Sequence, residues 1–174
     1  MSRDVALDPR LQLFHARRTV SRQTGPGPSA IELAAMLAAA DTAPDHGRLH
    51  PWRLVVLTDD DRSRVAESYA AAQRTVDDAP EKVERAGTKP LRGPCAVAAF
   101  ARTVDHPGVP AWEQLAAAAA AVQNLCLAAT ALGYGTAWRT GWFVEHELVR
   151  AALGAADDER VIGMIHVGTP ASRP

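Results

Sequence analysis

Apolar positions along this chain switch between a helical and a strand period, and the switches set its elements. Asp8-Pro9 suits a helix start, with aspartate as N-cap and proline at the first position, and predicts a short helix through Leu13, Phe14 and Ala16. The breaker run Gly25-Pro26-Gly27-Pro28 follows, and then the capping box Ser29-Ala30-Ile31-Glu32. Behind it Ile31, Ala34, Ala35 and Ala38 share one helical stripe that ends near Asp41. Trp52 to Leu57 is almost continuously apolar, which predicts a strand buried on both faces. The acidic turn Asp59-Asp60-Asp61 starts a helix over about Arg62 to Val76, because carboxylates suit the unpaired amides of a helix N-terminus.

Farther along, Ala79 to Arg85 predicts a weaker helix and Cys95 to Ala101 a second strand. Ala111 to Leu132 is the longest helical pattern, apolar on nearly every face, which belongs in a core or at a subunit interface. Gly133 stops it. Tyr134 to Arg139 predicts a third strand, Val144 to Leu153 a short helix closed by Gly154, and Val161 to Val167 the last strand. Four strands among five or six helices fit either a doubly wound or an α+β architecture. A length of 174 residues suits one domain over 1–174 and one buried core.

Composition narrows the function classes. A net charge of -1 gives no basic excess for nucleic acid. No apolar segment follows Met1-Ser2-Arg3-Asp4 as a signal peptide would require, and the apolar run Leu115 to Val122 is too short to cross a membrane. A soluble, cytoplasmic protein is expected. Cys95 and Cys126 form no CxxC pair and read as small core residues. His46 and His50 stand four apart, but Gly47 and Pro51 break the helix that would align them, so no metal site is expected. His106, His146 and His166 read as scattered histidines, and Asp157-Asp158-Glu159 as a solvated turn. No dinucleotide, P-loop or nucleophile-elbow motif occurs.

Three arginine-bearing segments carry more chemistry than connectors need. They are Arg17-Arg18-Thr19, the loop Ala43-Pro44-Asp45-His46-Gly47-Arg48-Leu49-His50-Pro51-Trp52, and Trp138-Arg139-Thr140-Gly141. Guanidinium forks with hydroxyls suit a phosphate. Three charge-assisted bonds at roughly 1.5–3 kcal/mol each give about 5–9 kcal/mol, against roughly 8 for micromolar binding. If they converge, these segments supply much of the affinity for a phosphorylated cofactor.

In this order the segments resemble the nitroreductase family of flavoproteins, and most closely its small single-domain, YdjA-like branch. Arg17-Arg18-Thr19-Val20 is similar to the family's N-terminal motif, with threonine in place of a common serine. The Ala43–Trp52 loop, Gly133-Tyr134-Gly135-Thr136-Ala137-Trp138-Arg139-Thr140-Gly141, and the stretch from Leu153-Gly154 through Ile162-Gly163 to His166-Val167-Gly168-Thr169-Pro170 complete the likeness. The resemblance implies an α+β fold with a central, mostly antiparallel sheet flanked by helices. It also implies a homodimer with two FMN sites at the subunit interface, and the Ala111–Leu132 helix fits a central dimer helix. Arg17, Arg18 and Thr19 match positions that hold the FMN phosphate and ribityl chain. His46 and His50 match flavin-contacting loop positions, although relatives often carry glutamine or arginine where His50 stands. Trp138, Arg139 and Thr140 match a second FMN segment, and Lys89 a cation near the flavin pyrimidine. By the same resemblance NAD(P)H is the reducing co-substrate and an electron-poor small molecule, nitroaromatic or quinone, the acceptor, in a ping-pong scheme with no catalytic side chain. An FMN-storing or FMN-sensing protein without turnover is the alternative.

Overall fold

The computed structural model describes residues 11–171, so the expected helix start at Asp8-Pro9 lies outside the described residues. The elements run α1 (Gln12–Ala16), β1 (Gln23–Thr24), α2 (Ala30–Ala40), a 3-10 turn (His46–Arg48), β2 (Trp52–Val56), α3 (Asp59–Arg74), α4 (Pro80–Gly87), β3 (Cys95–Arg102), α5 (Ala111–Ala131), β4 (Gly135–Arg139), α6 (Trp142–Glu145), α7 (Glu147–Ala152) and β5 (Glu159–Pro170). Local chemistry explains the helix starts. Ser29 accepts from the Glu32 amide while Glu32 accepts from Ser29, and Thr58 and Asp61 do the same for α3. The helix expected over Val144 to Leu153 is instead two short ones, because His146 turns to an extended conformation and caps α7 through the Leu148 amide.

Every named strand pair is antiparallel, which decides for α+β. The order is β1-β5-β3-β2, with β4 also paired to β5. β3 shows why helices cover both faces. Cys95, Val97, Ala99 and Ala101 pack toward α2 and α5, while Ala96, Ala98 and Phe100 pack toward α3 and α7. The alanines of β3 and α5 permit close approach of helix and sheet. By length and composition α5 is apolar enough to cross a membrane, yet Ala118, Ala121, Val122, Leu125 and Ala129 bury it against the sheet. Its outer side is barer: Trp112, in the first turn, is 68% exposed.

Two sequence expectations change here. β1 is only two residues long, a pairing with Pro170 and Thr169 that no local pattern signals. Glu159 is no solvated turn residue. It is buried at the start of β5 and accepts from Arg53 Nε at 2.6 Å and Nη2 at 2.5 Å, and from the Ala156 amide at 3.0 Å. Its carboxyl is held below the usual range, first by that hydrogen-bonded guanidinium.

The β4–β5 ladder is locked by one close approach. Trp138 pairs across from Ile165 and donates its indole Nε1–H to the Ile162 carbonyl at 3.0 Å. The ring lies against Gly163, whose φ is +146°, and a Cβ there would fall on Trp138 Nε1 and the Arg139 carbonyl. Beside it the β3–β5 register shifts between Ala99 and Phe100. Gly163→Ala therefore costs about 2–3 kcal/mol, through overpacking and backbone strain. Thermal unfolding checks this; a wild-type midpoint contradicts it.

Candidate functional site

β4 gathers the first of the arginine segments. Thr19 forms a parallel bridge with Thr136, and the Val20 amide donates to the Thr136 carbonyl at 2.8 Å. At the far end of β4, Arg139 Nη2 donates to Ser21 Oγ at 3.0 Å. Gln23 staples the junction, donating to the carbonyls of Val20, Gly135 and His166. Thr19 to Ser21 thus runs beside Thr136 to Arg139.

Strand alternation then separates Trp138 from Arg139. Trp138 faces the α5 side, and Arg139, opposite Met164, faces the α3 side. There it lines a cavity of about 200 Å³ with Lys89, Arg92, Thr140, Phe143 and His166. Arg62 shapes one wall. Buried in α3, it donates to the carbonyls of Pro90, Arg92, Gly93 and Pro94, the closest at 2.6 Å, and so folds the segment carrying Lys89 and Arg92 around itself. Lys89 Nζ sits 4.1 Å from the centre of the Phe143 ring, which stacks on Tyr69. Burial, then the charges of Arg85 and Arg92, pull the Lys89 pKa down.

The cavity is cationic and unfinished. No carboxylate pairs with Lys89, Arg92 or Arg139 among the described residues. Arg139 Nε is buried and has no hydrogen-bond partner among the described residues. A buried donor left unpaired costs about 1–3 kcal/mol. A flavin's carbonyl oxygens or an anionic group fit this donor set.

His166 belongs to the same wall. It is 4% exposed, and its Nδ1 lies 2.8 Å from the Arg92 carbonyl. Burial first, and then the charges of Arg62, Arg139 and Arg92, push its pKa down to about 4 against the single favourable contact with the Arg92 carbonyl. The reading of His166 as a scattered histidine is corrected: the signal was its even spacing from Met164 in β5, which puts both on the cavity side. Arg62 and Arg92 gave no local signal, because their role depends on a loop folding back on α3.

The Ala43–Trp52 loop stands apart. Asp45 braces it, accepting from the Leu49 amide at 3.1 Å and the His50 amide at 2.8 Å. Those bonds hold Arg48 (φ 55°) and His50 (φ 47°) in the left-handed region, a strain that marks functional segments. His46 Nδ1 meets Glu113 Oε2 of α5 at 2.8 Å, and the His50 ring packs against Trp52 at 4.4 Å. β2, which the loop enters, lies three strand spacings from β4, about 14 Å across the sheet. Within one chain the three arginine segments therefore do not converge. Two meet at β4, and the loop joins α2 and α5 instead. Lys89, Arg139 and Thr140 share one cavity, Arg18 lines a separate pocket at the start of β4 with Val20, Tyr134 and Gly135, Thr19 bridges Thr136, and the Trp138 side chain is a core buttress.

Comparison with known proteins places these features in company. A family model described as the nitroreductase family matches residues 15–169. The chain is 35% identical over 163 residues to YdjA of Escherichia coli K12, which bears a provisional NAD(P)H nitroreductase name; the match covers 92% of this chain and 87% of that one. Among solved structures, a nitroreductase-like family protein from Bacillus cereus superposes with a TM-score of 0.80 at 22% identity, covering 96% of this chain and 88% of that one. A nitroreductase with bound FMN from Bacteroides fragilis gives 0.74 at 22% identity, covering 94% and 89%.

The buried histidine sets an acid limit on stability. In the unfolded chain His166 takes a proton as pH falls through its ordinary 6.5, but in the folded protein it does not until about 4. Its contribution is thus complete above pH 6.5 and drains away down to about 4, by up to roughly 3 kcal/mol. Denaturant unfolding of wild type and His166→Gln across this window checks the sign. The stability gap must shift against wild type as pH falls; a constant gap contradicts it.

Proposed function

The chain belongs to the nitroreductase family, and from that premise we propose that it is an FMN-dependent NAD(P)H oxidoreductase that reduces nitroaromatic, quinone or similar electron-poor small molecules in the cytoplasm. The observation that carries the reading is the cavity at the end of β4, which Lys89, Arg92, Arg139 and Thr140 line with no carboxylate paired to its cations among the described residues. The NAD(P)H nitroreductase name of YdjA and the FMN in the Bacteroides fragilis structure support the cofactor and co-substrate.

In this proposal Arg17, Arg18 and Thr19 hold the phosphate and ribityl chain, and Lys89, Arg139 and Thr140 hold the polar edge of the ring. FMN, when bound, supplies the ring that takes two electrons from a nicotinamide and gives them to an acceptor. The chain's own part is electrostatic. Lys89, Arg92 and Arg139 surround a small cavity with positive charge, and their fixed donors counter negative charge that gathers at the ring edge. Trp138 keeps Arg139 on that side of the sheet. No side chain needs to act as nucleophile, so donor and acceptor take turns in one cleft, a ping-pong scheme.

His46 and His50 enter the proposal through a second copy. They lie on the α5 side, where Pro44, His46, Trp112 and the alanines of α5 line an open apolar trough. In a homodimer packed through α5 each of these loops would lie at the subunit interface. The alternative, an FMN-binding protein without turnover, uses the same residues and differs in one measurement. The purified protein must show a flavin spectrum, or acquire one with added FMN, and anaerobic NADH or NADPH must bleach it. A protein that stays colourless with FMN sinks the cofactor; bound flavin that neither nicotinamide bleaches leaves only the non-turnover reading.

A further inference from the structure

The side chains that line the β4 cavity offer mostly donors. Lys89, Arg92 and Arg139 donate only, and Thr140 carries a hydroxyl. Tyr69 directs its hydroxyl at Met164 Sδ, 3.9 Å away. His166 differs. Its Nδ1 faces the Arg92 carbonyl, which only accepts, so Nδ1 carries the hydrogen and Nε2 is left with a bare lone pair. The flanking guanidiniums and the burial of the ring keep it neutral. A ligand here must therefore present acceptors to the cations and one donor to His166.

A phosphate monoester, mainly the dianion at neutral pH, answers the cations but sets oxygen against the Nε2 lone pair. An imide edge, two carbonyl oxygens about one N–H, answers both. A cavity of about 200 Å³ suits a single heteroaromatic ring with its exocyclic oxygens and is too small for a whole cofactor. We infer that His166 is the acceptor for the imide N–H of the flavin pyrimidine ring, and that it makes this cavity select a flavin edge over other anions. The inference rests on the FMN reading above and adds to it a specificity-determining residue outside the arginine segments.

The test deletes the bond from both sides. Full-length protein stripped of flavin is titrated with FMN and with N3-methyl-FMN, which lacks the imide hydrogen, by flavin fluorescence. Wild type must prefer FMN by about tenfold, the worth of one well-made hydrogen bond in a buried site. His166→Ala must bind both within about threefold while holding N3-methyl-FMN as wild type does, which also certifies its fold. His166→Leu repeats the measurement with the space filled, and His166→Gln, which keeps an acceptor, must retain part of the preference. Equal affinity of wild type for the two flavins overturns the inference, as does full preference in both the alanine and leucine variants. Failure of wild type to bind either flavin instead removes the FMN reading, and this inference with it.

Discussion

The contact of the Trp138 indole with Gly163 governs the chemistry of this molecule. β-Strands alternate faces with a period of two, so a slip of one residue in β4 would turn Arg139 into the α5 core and Trp138 into the cavity. The indole holds that register three ways. It hydrogen-bonds the Ile162 carbonyl, fills space that any Cβ at position 163 would take, and packs into the alanine-rich layer under α5. Once Trp138 is committed, Ala137, Arg139, Met164 and His166 all face α3. Arg62 then closes the other side by drawing the Pro90–Pro94 carbonyls inward, which brings Lys89 and Arg92 to the same place.

This arrangement is costly in isolation. Several cations face one cavity without a carboxylate among the described residues, a buried guanidinium nitrogen lacks a partner, and a histidine is pressed far below its normal pKa. Folded proteins keep such features where a ligand offsets them. The loop from Ala43 to Trp52 is a second strained feature, its left-handed residues braced by Asp45, and it faces away from the cavity along α5. In the homodimer proposed here that loop lies at the subunit interface.

Much of this was legible in the residues, and the division between what was and was not follows interaction range. The capping box at Ser29, the acidic start of α3 and the alanine-rich α5 are local signals: α2 and α5 start where expected, and α3 starts three residues early because the acidic turn itself is helical. Arg17-Arg18-Thr19 and Arg139-Thr140 stood out by composition, and the chain from Thr19 to Ser21 runs along β4. What escaped depends on partners far along the chain. Glu159 looked solvated because its partner, Arg53, is 106 residues away. His166 looked incidental because its face follows from the β4–β5 register. The expected convergence of all three arginine segments failed because strand order, which spacing does not reveal, puts β2 and β4 on different sides of β5 and β3.

The claim at the centre of this account is that the cavity on the α3 side of β4 is where FMN binds, with Arg139 as its anchor. Equilibrium titration of wild type and Arg139→Leu with FMN, beside their thermal midpoints, tests it most directly. The account predicts one flavin per chain in wild type and an affinity at least about tenfold weaker in the variant at an unchanged midpoint, since a lost charge-assisted bond is worth roughly 1.5–3 kcal/mol. Equal FMN affinity in the two proteins would contradict it.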